Sequence, residues 1–301
     1  MPKVTKDERR MTNVNDFKMD PNYVPEDPEK AEIVFQVGYM ITDRMDKKLH
    51  KSLNYQDPEY WCLDEILTKE EAKFMLSFKK TRTLYNIEEL AQMNNMSIEK
   101  AQEIVDHLCW TGTVESDYKE EGGVKYYDVP IFVPGIAEFM LMNAALMEKH
   151  PNIATFFNLM TQMPLEGLTE MVPLGGSGVG MHVIPVEKAI ETENKSLSIE
   201  HISHWLDKYK GKMAVGVCSC RRQQRIRGEG SGEIEGEFCI ALDNLAEYMV
   251  NRQSARYITK EEAIEICERG ERHGFVHQIT NIDGEDKIVG LCNCAPGVCN
   301  A

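Results

Sequence analysis

Three features of this 301-residue chain predict an α+β fold. Capped, amphipathic helical stretches follow one another between residues 68 and 112; a hairpin signature comes directly after them; and short apolar runs of strand type alternate with helices in the last third. At 42% hydrophobic the chain can bury a core, which excludes wholesale disorder. The expected organisation is an extended arm and lead-in over 1–54, a helix-and-hairpin domain over 55–135, a helical connector with a glycine-rich loop over 136–180, and a cysteine-rich α+β domain with short strands over 181–301.

The first 30 residues combine charge with Pro2, Pro21, Pro25 and Pro28 and read as an extended arm. Thr68-Lys69-Glu70-Glu71 is a capping box, and Phe74, Met75 and Phe78 give the helix it opens an apolar face. Asn86 opens a second helix through Leu90 and Met93. Ser97 opens a third, on which Ile98, Ala101, Ile104, Val105 and Leu108 recur at helical spacing until Gly112. The stretch Thr113 to Val129, with Glu121-Gly122-Gly123 at its middle, reads as a β-hairpin. Three helices and a hairpin resemble a winged helix-turn-helix domain.

Charge argues against the usual use of that shape. The third helix sets Lys100 against Glu99, Glu103 and Asp106, and the wing sets Lys119 and Lys125 against Glu115, Asp117, Glu120 and Glu121. A helix entering the major groove needs groups that reach bases and phosphates. The whole chain carries 34 basic against 49 acidic residues, a net charge of −15, so nucleic acid and anionic lipid are not expected partners. A structural or protein-docking domain is the expectation. Ile131 to Met147, interrupted by Pro134, Glu138 and Asn143, is too short and polar to span a membrane, and MPKVTKDERRM has no apolar signal region. A cytoplasmic protein is expected.

Ile136 to His150 reads as one helix closed by Pro151, and Asn152 to Gln162 as another. The loop Pro173 to Gly180 lacks a Walker lysine and a dinucleotide fingerprint; it is a linker or a place of close backbone approach. Ser198 opens a helix with Ile202, Trp205 and Leu206 on one face. His201 and His204, three apart, read as a solvated face more readily than as metal ligands.

The nine cysteines divide by position. Cys62, Cys109 and Cys267 are isolated, the latter two on helix inner faces, whereas Cys218, Cys220, Cys239, Cys292, Cys294 and Cys299 crowd the last third. In a reducing compartment such a group indicates metal or redox chemistry. Met213 to Val217 is an apolar strand ending in Cys218-Ser219-Cys220-Arg221-Arg222. Cys239 is expected just before a helix over Ile240 to Gln253, where a helix N-terminus would favour thiolate. Thr259-Lys260-Glu261-Glu262 opens a further helix. Two strands, Phe275 to Thr280 and Lys287 to Leu291, form a hairpin across Asp283-Gly284, and the second delivers Cys292-Asn293-Cys294. Both C-x-C pairs are thus expected at the ends of adjacent strands, with Cys239 and Cys299 approaching from loops. Soft thiolates select zinc or iron–sulfur centres. The chain has no C-x-x-C knuckle and six candidate thiols, with Arg221, Arg222, Arg225 and Arg227 beside them, which favours an iron–sulfur centre and leaves zinc as the alternative.

The ordered series Val217-Cys218-Ser219-Cys220-Arg221-Arg222, Gly228-Glu229-Gly230, Cys239, Ala255 to Ala263, Gly274-Phe275-Val276-His277-Gln278 and Cys292-Asn293-Cys294 resembles a group of anaerobic iron–sulfur flavoproteins. Phe132-Val133-Pro134-Gly135 and His182 to Ala189 add to the likeness, which covers residues 55–301. In that group a winged-helix-like region and this cysteine module precede a ferredoxin-type domain and an FAD- and NAD(P)-binding domain. Ser231, Ala295 and Gly297 stand where many members have cysteine, so one [4Fe-4S] cluster is expected rather than two, with four ligands drawn from the six thiols. Arg221 and Arg222 would raise its potential. The resemblance implies an oxygen-sensitive electron-transfer module of a flavin-linked oxidoreductase, not catalytic alone, with the ferredoxin-type and flavin domains in a partner subunit or in further sequence. Self-association is left open. A metal- or redox-sensing winged-helix transcription regulator and a structural zinc scaffold are the rival readings.

Overall fold

The computed structural model describes residues 24–49, 55, 58–119, 123–130, 135–154, 181–184, 202–209, 211–228, 236–280 and 288–299. They form an α+β chain of two compact units, within Met11–Met171 and Val172–Ala301.

The N-terminal unit begins with α1 (Pro28–Leu49), a 22-residue helix in the lead-in that follows the expected extended arm. Its start is fixed by Asp27, whose carboxylate accepts from the amides of Glu29 and Lys30 at 3.0 Å. Its signal is in the sequence: Ala31, Val34, Val37 and Ile41 recur every three or four residues and are buried. They pack toward α2 (Pro58–Ile66) and α3 (Lys69–Leu76).

The capping box of α3 forms as expected, and Asn86, expected to open α4 (Ile87–Met93), makes a second one: each cap bonds the third amide and the third residue's carboxylate returns to the cap amide. Ser97 caps α5 (Ile98–Thr111), which ends at Gly112. Strands β1 (Glu115–Tyr118) and β2 (Lys125–Asp128) pair antiparallel, and a bridge from Tyr85 to Tyr127 ties β2 to the chain before α4.

One expectation fails here. Ile136 to His150 is not one helix but two, α6 (Ala137–Met142) and α7 (Ala144–Lys149), broken at Asn143. Asn143 accepts from the Leu146 amide at 3.0 Å and donates to the Trp110 carbonyl at 2.7 Å, so a buried side chain exchanges helix continuity for a cap and a tie to α5. The expected helix beyond residue 154, the glycine-rich loop and His201 lie outside the described residues.

In the C-terminal unit, β3 (Met181–Ile184), β4 (Met213–Val217), β5 (Glu237–Leu242), β6 (Ala255–Tyr257), β7 (Val276–Thr280) and β8 (Gly290–Cys294) make an antiparallel sheet of order β3-β7-β8-β5-β4-β6. Strand alternation gives it two unlike faces. One buries Met213, Val215, Phe238, Ile240, Leu242, Ile279 and Leu291 against α8 (Ile202–Lys208) and α11 (Lys260–Arg272), which contribute Trp205, Leu206, Ala263 and Ile266. The other carries Ala214, Gly216, Cys239 and Cys292. There Met249 of α10 (Asp243–Asn251) lies 3.5 Å from where a Cβ on Gly216 would stand. That same Cβ would come within 2.6 Å of the Ser254 carbonyl, so the approach of β6 to β4 requires glycine.

Among the described residues no helix is long and apolar enough to cross a membrane.

Candidate metal centre

The sheet register assembles the cysteines. Ile240 pairs with Leu291 and Ala241 with Gly290, so one further step sets Cys239 opposite Cys292. Cys292 and Cys294, two apart in β8, share that face. Immediately after β4 the chain enters α9 (Ser219–Ile226), with Cys218 at the N-cap position and Cys220 in the first turn. Past β8, the amides of Val298 and Cys299 donate to the Ala295 carbonyl at 3.1 Å, and Gly297 takes φ +74°, a left-handed step that swings Cys299 back toward the sheet.

The six thiols then form a connected row. Cys218 contacts Cys220, Cys220 contacts Cys299, Cys299 contacts Cys294, Cys294 contacts Cys292, and Cys292 contacts Cys239. None of the nine cysteines is disulfide-bonded. Among the described residues no group of three or more His, Cys, Asp or Glu is already arranged to hold a metal ion. Cys218 is also within electrostatic reach of Cys299 and Cys294, so the two C-x-C segments and Cys299 lie close together.

Three expectations are corrected. Cys239 does not precede a helix: it sits inside β5, and α10 starts only at Asp243. Phe238, Ile240 and Leu242 alternate with it into the core, and a short apolar run of this kind has no periodicity long enough to distinguish strand from helix. The thiol at a helix N-terminus is Cys218, because α9 opens directly after it. Finally, β4 and β8 are not neighbours; β5 lies between them, so Cys239 ends the row beside Cys292 while Cys299 joins the two C-x-C segments.

Protonation differs along the row. The Cys220 contact, helped by the charge and backbone amide of Arg221, brings Cys218 down to about 7 against the effect of burial. Contacts with Cys218 and Cys299, together with burial, push Cys220 up. Those with Cys239 and Cys294 do the same to Cys292. At Cys294 the Cys292 contact works downward, but Cys299 and burial outweigh it. Metal must displace those protons, since thiolate is the ligand. Cys267, pushed up to about 12 by burial, is 2% exposed in the α8–α11 core, as expected of a structural thiol; Cys62 is buried and Cys109 half-buried in the other unit.

Beneath the C-x-C strand, on the core face, lies a polar network that the sequence did not announce. Asn293 is 3% exposed; its amide nitrogen donates to the Phe238 carbonyl at 2.7 Å, which leaves its side-chain oxygen as acceptor toward His277 Nδ1. His277 is therefore protonated on Nδ1, and burial holds its pKa below the usual value. Arg221, 3% exposed, donates from Nη2 to the Asn293 carbonyl and lies against the edge-to-face pair Phe238 and Phe275, at 4.6 and 4.5 Å from their centroids. Arg222 is half-buried, its pKa lowered by burial first and then by Arg225. His204 is exposed. Of the polar partners, Asn293 was visible only as the residue between two cysteines and His277 as part of a strand. An all-thiol donor set over an apolar, cation-bearing layer suits a soft metal.

Compared with protein-family models, curated proteins and solved structures, the chain matches none of them.

Proposed function

We propose that this chain is an iron–sulfur electron-transfer module of an anaerobic, flavin-linked oxidoreductase, with a [4Fe-4S]-type cluster held by thiols drawn from Cys218, Cys220, Cys239, Cys292, Cys294 and Cys299. The observation that carries it is selective assembly. Six cysteines spread over four chain segments meet in one row, while Cys62, Cys109 and Cys267 stand apart. Six thiols exceed the four of a tetrahedral zinc site.

A bound cluster would take up and release single electrons. The chain's own residues supply thiolate ligands, an apolar sheet that limits water, and buried positive charge at Arg221. The ferredoxin-type and flavin- and NAD(P)-binding parts belong to a partner or to further sequence. In the N-terminal unit, Glu99, Glu103 and Asp106 are exposed on α5, and Lys100 is engaged by Glu70 and Glu103. That face is a docking surface for protein rather than a reader of nucleic acid.

The test is anaerobic reconstitution of the full chain with iron and sulfide. Broad absorption near 400 nm with equal iron and sulfide is expected; it should be lost in Cys220→Ser or Cys294→Ser and kept in Cys267→Ala. A colourless protein holding a single zinc overturns the reading.

A further inference from the structure

We propose that Arg221 is the positioning residue of the thiol row: it locks the Cys218–Cys220 segment to the Cys292–Cys294 segment and presents the buried positive charge against which the metal–thiolate centre is held. Two observations combine. Arg221 directly follows Cys220 in α9, and its Nη2 donates to the carbonyl of Asn293, the residue between Cys292 and Cys294, 72 positions away. One side chain therefore sets the distance between the two C-x-C segments. At the same time its Nε and Nη1 are fully buried and have no hydrogen-bond partner among the described residues.

The faces of Phe238 and Phe275 hold the guanidinium but cannot accept its remaining in-plane N–H groups. A buried cation is costly to retain without an anion. Arg221 stands beside Cys218, whose thiolate its charge and backbone amide favour, so the anion that balances the buried guanidinium is the metal–thiolate centre. Arginine suits this task and lysine does not: a planar fork can lie against the paired rings while donating in several directions.

The inference rests on the row being a metal centre and is tested in the full chain with Arg221→Gln, Arg221→Lys and, as a charge-matched control, the exposed Arg272→Gln. After iron and sulfide loading, Arg221→Gln should shift the midpoint potential downward by at least tenfold in the one-electron equilibrium, about 59 mV. Arg221→Lys should load less cluster than wild type but retain most of the potential, and Arg272→Gln should match wild type in both. A loaded Arg221→Gln with wild-type potential overturns the proposal. If Arg221→Gln does not load, Arg221→Lys decides: loading and potential both equal to wild type overturn it. If the wild type itself takes no iron and sulfide, the electron-transfer reading falls. The positioning role is then read with Co²⁺ through thiolate-to-cobalt absorption, where Arg221→Gln should weaken binding at least tenfold and unchanged affinity overturns it.

Discussion

Replacing Asn293 by alanine should unfold the C-terminal unit more readily than any cysteine substitution at the row. The side chain is buried; it donates to the Phe238 carbonyl at 2.7 Å and accepts from His277. Truncation strands a carbonyl and a ring N–H in an apolar layer where water cannot replace Asn293. Each orphaned group costs roughly 1–3 kcal/mol, so the loss is about 4 kcal/mol. With a urea slope of about 2 kcal/mol/M, the midpoint should fall by about 2 M. Trp205 lies in this core, 3% exposed, whereas Trp61 and Trp110 belong to the other unit. Urea unfolding followed by Trp205 fluorescence, in a Trp61→Phe, Trp110→Phe background, isolates the relevant transition. A shift below about 0.5 M would mean that the network is not holding β8 to its neighbours, and the reasoning would be refuted.

Gly216→Ala should destabilise the same transition by about 1–3 kcal/mol, because the new methyl meets the Ser254 carbonyl and β6 must retreat; loss of amide-exchange protection in Ala255–Tyr257 would report it, and an unchanged β6 would contradict it. In the N-terminal unit His107 hydrogen-bonds Glu71, which raises the imidazole pKa; at Glu71 burial works upward, but His107 and Thr68 outweigh it and the carboxyl ends up lowered. The His107 contribution is complete below the ordinary imidazole range and fades as pH rises through the raised value. The Glu71 contribution is present above the ordinary carboxylate range and fades as pH falls through the lowered one. Stability from the pair should therefore peak in mildly acidic solution. With His107 about half exposed, the effect is on the order of 0.5 kcal/mol, and His107→Gln should flatten that pH profile of thermal unfolding.

How far the sequence could be read depended on how local the determinant was. Thr68, Asn86 and Ser97 announce helices because a cap bonds an amide only three residues away. The hairpin of β1 and β2 was legible for the same reason. Asn143 was not, since its break in the helix depends on Trp110, 33 positions distant. α1 carried its periodicity in plain view but was obscured by the proline-rich segment before it.

For the candidate centre, composition and spacing alone determined that six thiols belong together and three do not, because C-x-C pairs and isolated helix positions differ within a few residues. Only the tertiary structure decided the order of the row, the place of Cys239 inside β5, and the contact of Arg221 with the Asn293 carbonyl. Those facts follow from strand order and register, and hence from long-range packing between segments that no local pattern relates. The insertion of β5 between β4 and β8 sets Cys239 beside Cys292, and the pleat sends Asn293 to the opposite face from its two cysteine neighbours.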